Sequence, residues 1–381
     1  MAEPRRFLQL VVGPRQTGKT TAVTQMLEHC PLPQRYASAD DAIVPTTDWL
    51  RNEWELARML TTTSGGEAVL VLDEVQKVAD WPTAVKSLWD EDSRNRTPLK
   101  VVLTGSSAML LQRGSEESLM GRFELLHCPH WSFAECRTAF GFSLDDYLYF
   151  GGYPGAAPLI SDEDRWSRYI GAAIVEPTIA QDVLSMDEVR KPALLRALFN
   201  LGAHYSAQEL SYTKLQGQLQ DAGNTTTLAH YLQLLDKAGM LTGLQKYSAS
   251  LLTVRNSSPR LLVHNTALMT YAAGSRREQL HADPTERGHL VESAVGAHLL
   301  ARGLVDGFNV YWWRERSNEV DFVISDGYRL TAIEVKSGRV KGLQGIAAFE
   351  SEYPHALSLV VGSPQLSLED FLLDQTPLFK A

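Results

Sequence analysis

Phe7-Leu-Gln-Leu-Val-Val-Gly-Pro-Arg-Gln-Thr-Gly-Lys-Thr20 runs from a short apolar segment into a loop that is bounded by Gly13 and Gly18 and ends in Lys19 and Thr20. The spacing G-x-x-x-x-G-K-[ST] is that of a phosphate-binding loop. Its glycines let the backbone wrap an anion without Cβ clashes and turn successive N–H groups towards the charge. Gly13, Pro14, Arg15, Gln16, Thr17, Gly18, Lys19, Thr20 and Thr21 are therefore the nucleotide-binding candidates. Lys19 would reach the β- and γ-phosphates, Thr20 would hold Mg²⁺, and the helix opening at Thr20 would point its positive end at the charge. A strand before the loop and a helix after it place the chain in the α/β class.

Outward from the loop, short apolar runs alternate with helical stretches, the pattern of a parallel sheet covered on both faces. The predicted strands are Phe7–Val12, Arg35–Ser38, Ala68–Leu72, Lys100–Leu103 and Glu124–His127. Helices are predicted over Thr20–His29, Asp48–Thr61 and Trp81–Asp90. Ala68-Val-Leu-Val-Leu-Asp-Glu74 ends in two acids, as hydrolysis of a nucleotide requires: Asp73 to ligate Mg²⁺ and Glu74 to polarise the attacking water. Lys100-Val-Val-Leu-Thr-Gly-Ser-Ser107 ends in small polar residues at the same sheet edge, where Thr104 or Ser106 would contact the γ-phosphate or the water, or Ser106 and Ser107 would cap the next helix. No guanine-reading Asn-Lys-x-Asp segment follows, which favours ATP over GTP.

Composition sets the outer bounds. A chain of 381 residues with 44% apolar content has room for two or three domains. Its net charge of −9 excludes a protein that coats nucleic acid by charge alone, so any DNA contact must be local. Cys30, Cys128 and Cys136 form no CxxC pair, and neither a signal peptide nor a membrane-spanning run is evident, which points to the reducing cytoplasm. His127-Cys-Pro-His130 with Cys136 fits no common zinc spacing.

Leu-Asp-Glu-Val-Gln-Lys77 with Trp81, Leu-Thr-Gly-Ser-Ser107, Ser118-Leu-Met-Gly-Arg122, Ser132-Phe-Ala-Glu135 and Gly151-Gly-Tyr-Pro154 join the phosphate loop in a wider pattern. Together they resemble a large prokaryotic group whose members carry an archaeal-type AAA+ ATPase domain and a C-terminal domain of unknown function, DUF4143. The resemblance implies that Arg122 is an arginine finger or sensor for a γ-phosphate, in its own chain or in a neighbouring subunit. In the latter case the protein is a homo-oligomer, either a dimer or a ring.

From about residue 190 three amphipathic runs, Pro192–Gly202, Ala207–Leu219 and Thr225–Ala238, precede Leu241–Tyr247 and Ser250–Val254 as a possible β-wing. This reads as a winged helix-turn-helix with its turn at Gln220–Asn224. Leu228, Leu232 and Leu235 would face its core, and Thr226, His230, Gln233 and Lys237 would face outward, towards DNA or solvent. Residues 161–289 balance basic and acidic side chains, whereas the flanking segments are acidic, which tilts the choice towards DNA.

Farther on, Glu292 lies on a predicted helix, Asp321 on a strand and Glu334-x-Lys336 on the next. This arrangement resembles the PD-(D/E)xK nuclease superfamily, although Asp321 follows Asn-Glu-Val rather than a proline. Alternation puts Glu334 and Lys336 on one strand face. Asp321 and Glu334, with Glu292, would hold a second divalent cation that activates water beside Lys336, and Arg314, Arg316, Arg339 and Lys341 would form a phosphate track.

The expected organisation is a P-loop AAA+ core over residues 1–135, a helical lid or linker over 136–189, a winged helix over 190–260 and an α/β nuclease-like domain over 261–381. The expected function is ATP hydrolysis that acts on branched or structured DNA. The alternative is a nucleotide-operated signalling or defence switch that binds a protein and carries a non-cutting C-terminal domain.

Overall fold

Leu8–Gly13, the apolar segment of the phosphate loop, forms β1, flanked on both sides in a five-stranded sheet. The structure, a computed structural model, describes residues 3–106, 119–184, 189–219, 224–248, 258–338 and 342–380. It divides into two units, Met1–Cys128 and Pro129–Ala381, each with its own cores.

In the first unit β1 is followed by α1 (Lys19–Glu28), β2 (Gln34–Ser38), α2 (Thr47–Ser64), β3 (Ala68–Asp73), α3 (Trp81–Asn95), β4 (Leu99–Ser106) and β5 (Phe123–His127). The strands lie in the order β2-β3-β4-β1-β5 and all pair in parallel. Alternation sends their side chains to two faces. Leu8, Leu10, Leu70 and Leu72 meet Leu50, Trp54, Val85 and Leu88 on one face, and Val11, Val69 and Val71 meet Val23 and Leu27 on the other. All five expected strands form: β1, β3 and β4, buried on both faces, are continuous apolar runs, and β2 and β5 are half-exposed edge strands. β4 is longer than its apolar core because its last residues, Thr104 to Ser106, continue to pair with Val11 to Gly13.

Two features fasten this unit. A Cβ at Gly13 would come within 2.0 Å of the Cys128 carbonyl oxygen, so the end of β5 demands glycine there quite apart from the loop. Gly13→Ala is expected to cost about 1–3 kcal/mol through this overpacking, seen as a lower thermal midpoint; an unchanged midpoint would show that β5 yields freely. On α3, fully buried Asp92 accepts hydrogen bonds from Trp54 Nε1 at 2.8 Å and Arg58 Nε at 2.7 Å.

The second unit opens with α4 (Phe133–Phe140) and α5 (Leu144–Phe150), whose capping boxes pair Ser132 with Glu135 and Ser143 with Asp146. α6 (Glu163–Tyr169) then runs on into π-helical stretches at Ile170–Val175 and Thr178–Val183. Next come α7 (Pro192–His204), β6 (Gln208–Glu209), α8 (Tyr212–Gln218), α9 (Thr225–Lys237), β7 (Leu241–Leu244) and β8 (Arg260–Val263). The small antiparallel sheet has the order β6-β8-β7. On α9 Leu228, Leu232 and Leu235 are buried, whereas Thr226, Gln233 and Lys237 are exposed and His230 is half-buried. Residues 220–223 of the expected turn and the second expected wing strand, 250–254, lie outside the described residues; β8 is the central strand of the small sheet.

α10 (Thr266–Ala273), α11 (Arg277–Ala282) and the long α12 (Pro284–Asp306) lead to β9 (Asn309–Glu315), β10 (Asn318–Ser325), β11 (Leu330–Val335), α13 (Gln344–Glu352), β12 (Leu357–Val361) and α14 (Leu368–Leu372). β9, β10 and β11 form an antiparallel meander, and β12 returns through α13 to pair in parallel with β11. No helix among the described residues is long and apolar enough to cross a membrane.

Candidate functional site

The loop between β1 and α1 turns through left-handed backbone at Gln16 (φ 61°) and Gly18 (φ 87°). Thr17 Oγ1 donates to the Pro14 carbonyl at 3.1 Å, closing the loop on itself. The buried Lys19 ammonium donates to the Gly13 and Pro14 carbonyls at 3.0 and 2.6 Å, so it lies across the concave loop at the start of α1. β3 ends beside it, since parallel strands bring their C-terminal ends to one edge. Thr20 Oγ1 donates to Asp73 Oδ2 at 2.9 Å.

Asp73 is a convergence point. Besides Thr20, its carboxylate accepts from Tyr36 OH at 2.7 Å and from the Thr104 hydroxyl. Burial and the Asp73 charge push the Tyr36 phenol upward, so it stays a donor. A hydroxyl and a carboxylate side by side are hard oxygen donors of the kind Mg²⁺ takes, with its other positions left to water and phosphate, so Thr20 and Asp73 fit that ion. Glu74 follows in left-handed backbone (φ 53°), and its carboxylate accepts from Gln76 Nε2 at 2.5 Å. Ser106 stands opposite Gly13 in the sheet register; its buried hydroxyl has no hydrogen-bond partner among the described residues.

Arg122 is not brought to the loop. It immediately precedes β5, and its carbonyl accepts from Leu8 N at the start of β1. The six residues of β1, roughly 17 Å of strand, separate it from Gly13. Its guanidinium instead forks onto Asp90 of α3 at 2.7 and 3.0 Å and holds that carboxyl below the usual range. The parallel sheet thus puts Arg122 and the loop of its own chain at opposite ends of β1. Of the Ser118–Arg122 segment, Ser118 lies outside the described residues.

In the second unit the structure gathers Glu292 from α12, Asp321 from β10 and Glu334 from β11. Lys336, just past β11, bonds Glu334 at 2.5 Å, and Asp321 Oδ2 accepts from Val335 N at 2.8 Å. Burial pushes the carboxyls of Glu292 and Asp321 up; burial and the Asp321 charge lift Glu334 to about 7. The expected second cation finds no support here, and Arg260 of β8 points its guanidinium into the cluster. It is ion-paired with Glu292, with Glu319 at 3.1 Å and with Asp321 at 3.5 Å. No group of three or more His, Cys, Asp or Glu side chains among the described residues is arranged to hold a metal ion. Of the expected phosphate track, Arg314 is paired with Glu209 and Glu319, Arg316 lies exposed in the turn between β9 and β10, and Arg339 and Lys341 lie outside the described residues.

Sequence reasoning misses Tyr36, Gln76 and Arg260. Tyr36 sits on β2 two residues before Ser38, the register partner of Asp73, so alternation alone is enough to flag it. Arg260 is the one charge in Arg-Leu-Leu-Val263, a buried strand, and such a residue must find carboxylates.

The AAA domain family matches residues 5–137, the domain of unknown function DUF8612 matches residues 141–279, and the domain of unknown function DUF4143 matches residues 287–373. The uncharacterized protein MJ1544 of Methanocaldococcus jannaschii is 22% identical over 339 residues, 83% of this chain and 72% of its own length. Among solved structures, Orc1 of Aeropyrum pernix in complex with DNA aligns with 71% of this chain and 87% of its own, at 13% identity and a TM-score of 0.29. Cdc6p of Pyrobaculum aerophilum aligns with 73% and 89% at 14% identity and a TM-score of 0.32. The RuvB Holliday junction branch migration motor of Thermotoga maritima aligns with 62% and 82% at 15% identity and a TM-score of 0.32. Likeness at these scores carries no argument about function. The family matches, the P-loop at the edge of a parallel sheet and the acids that end β3 together give this chain an AAA+ ATPase domain followed by a DUF4143 domain.

Proposed function

We propose that this protein hydrolyses ATP and uses the cycle to act on DNA, with branched or structured forms such as junctions as its preferred partner. The observation that carries the reading is the convergence of Lys19, Thr20, Asp73 and Glu74 at one sheet edge, with Thr20 Oγ1 2.9 Å from Asp73. When ATP enters, the Lys19 ammonium exchanges the Gly13 and Pro14 carbonyls for phosphate oxygens. Thr20 and Asp73 would hold Mg²⁺, which when bound offsets the charge on those oxygens. Glu74 polarises the attacking water and accepts its proton, and Ser106 offers its hydroxyl beside the loop. Arg122, at the far edge of its own sheet, would serve the nucleotide of a neighbouring subunit, which requires a homo-oligomer.

The partner would be held by the second unit. α7 to β8 have the order of a winged helix-turn-helix, and α9 presents Thr226, Gln233 and Lys237 outward. The succession α12-β9-β10-β11-α13-β12, with its meander and parallel return strand, supports a nuclease-like α/β fold for the C-terminal domain.

The test is ATP turnover with junction, single-stranded and duplex DNA at fixed salt, on wild type and Lys19→Ala. At least one DNA form should raise turnover several-fold, and Lys19→Ala should abolish both basal and stimulated rates. A flat response to all three forms, with no binding at moderate ionic strength, would sink the DNA reading and leave the protein-binding switch in its place.

A further inference from the structure

We propose that Arg260 is a built-in cation that takes the place of a divalent metal in the C-terminal domain, making that domain a module that grips its partner without cutting it. The inference rests on the nuclease-like reading of that domain. Arg260 is only 5% exposed and is anchored from several sides: Nε donates to the Ala207 carbonyl at 3.0 Å, Nη1 to the Asp321 carbonyl at 3.3 Å, and the remaining N–H groups face Glu292, Glu319 and Asp321. A guanidinium stays charged in such a site and offers N–H groups in a rigid fork, which suits several carboxylates held at different angles.

Arg260 and Lys336 lie among four carboxylates, Glu292, Glu319, Asp321 and Glu334, and Arg314 is shared between Glu319 and Glu209. Glu334 is 8% exposed, and its Oε2 has no hydrogen-bond partner among the described residues. Carboxylates buried this closely need a fixed cation among them, and the Arg260 guanidinium supplies it.

The chemical consequence follows from what a guanidinium lacks. A metal ion activates water by binding it in an open position and lowering its pKa; a guanidinium has no such position. With Arg260 in place the carboxylates orient an arginine rather than a hydrolytic ion. Arg260 is thus a positioning residue that draws β8 against α12, β10 and β11.

The experiment titrates Mn²⁺ alone, without nucleotide, into the full chain. All variants carry Asp73→Asn, which silences the phosphate-loop site. The parent is compared with Arg260→Ala, Arg260→Lys and Arg260→Ala with Asp321→Asn, by calorimetry and by thermal midpoint. The parent and Arg260→Lys should show no binding. Arg260→Ala should bind one Mn²⁺, gain several degrees in midpoint from it and lose both effects with Asp321→Asn. Should Arg260→Ala be too unstable to titrate, rescue of its midpoint by Mn²⁺ is the readout. Mn²⁺ binding by the parent that Asp321→Asn removes would overturn the proposal and leave the nuclease-like reading standing. Failure of every folded variant to bind would overturn both.

Discussion

Glu74→Gln is expected to bind ATP as tightly as wild type and to turn it over about 10²- to 10⁴-fold more slowly, the range associated with losing a positioned general base. Glutamine keeps the size of the side chain and a carbonyl that can still accept the Gln76 hydrogen bond, so the backbone at φ 53° and the neighbouring Asp73 should stay in place. What disappears is the charge that polarises water. Nucleotide binding with a fluorescent analogue and single-turnover hydrolysis separate the two effects. Turnover within about threefold of wild type would remove Glu74 from the chemistry, because a bystander carboxylate contributes far less than a general base. The same variant, held in its ATP-bound form, should grip DNA for longer than wild type and so report whether the nucleotide state is coupled to the second unit.

The largest expected loss of stability comes from Asp92→Ala. Asp92 is fully buried between α2 and α3, where it answers the indole of Trp54 and the guanidinium of Arg58; Arg58 also reaches Glu55, Glu91 and the Leu88 carbonyl. Removing one partner of a buried pair leaves the other's desolvation uncompensated, so about 3–5 kcal/mol should be lost from the first unit. Asp92→Asn keeps an acceptor for the indole and should lose less. Urea unfolding followed by tryptophan fluorescence, to which Trp49, Trp54, Trp81 and Trp89 of the first unit contribute beside four tryptophans of the second, gives the measurement. Because the chain has two units, the change should fall on one transition and leave the other where it was. A loss below about 1 kcal/mol would mean that the helix pair is held by its apolar contacts alone.

Much of the first unit is legible in the amino-acid sequence, for reasons that are local. The phosphate loop is contiguous, and its glycine spacing follows from the backbone it must adopt. Ala68–Asp73 declares itself because a strand buried on both faces leaves no polar alternation to confuse it with a surface element. Helix ends are less legible: α2 extends to Ser64 and α3 to Asn95, beyond the apolar stripes that mark them, because polar residues continue a helix at little cost once it is nucleated. In the second unit Glu292, Asp321, Glu334 and Lys336 stand out by type and spacing, and the fold does gather them. Their spacing holds no sign of the guanidinium among them.

The amino-acid sequence by itself determined the α/β P-loop core, and it offered Lys19, Thr20, Asp73 and Glu74 as candidates, because each of those readings depends on residues close along the chain or on strands with unmistakable burial. The tertiary structure decided two further things. Parallel pairing of β1 with β5 put Arg122 at the sheet edge opposite its own loop. The packing of β8 on α12 and β10 carried Arg260 across 32 residues to Glu292 and 61 to Asp321, into a cluster of carboxylates. Such meetings leave no periodic trace in a sequence; they are set by which strand lies beside which.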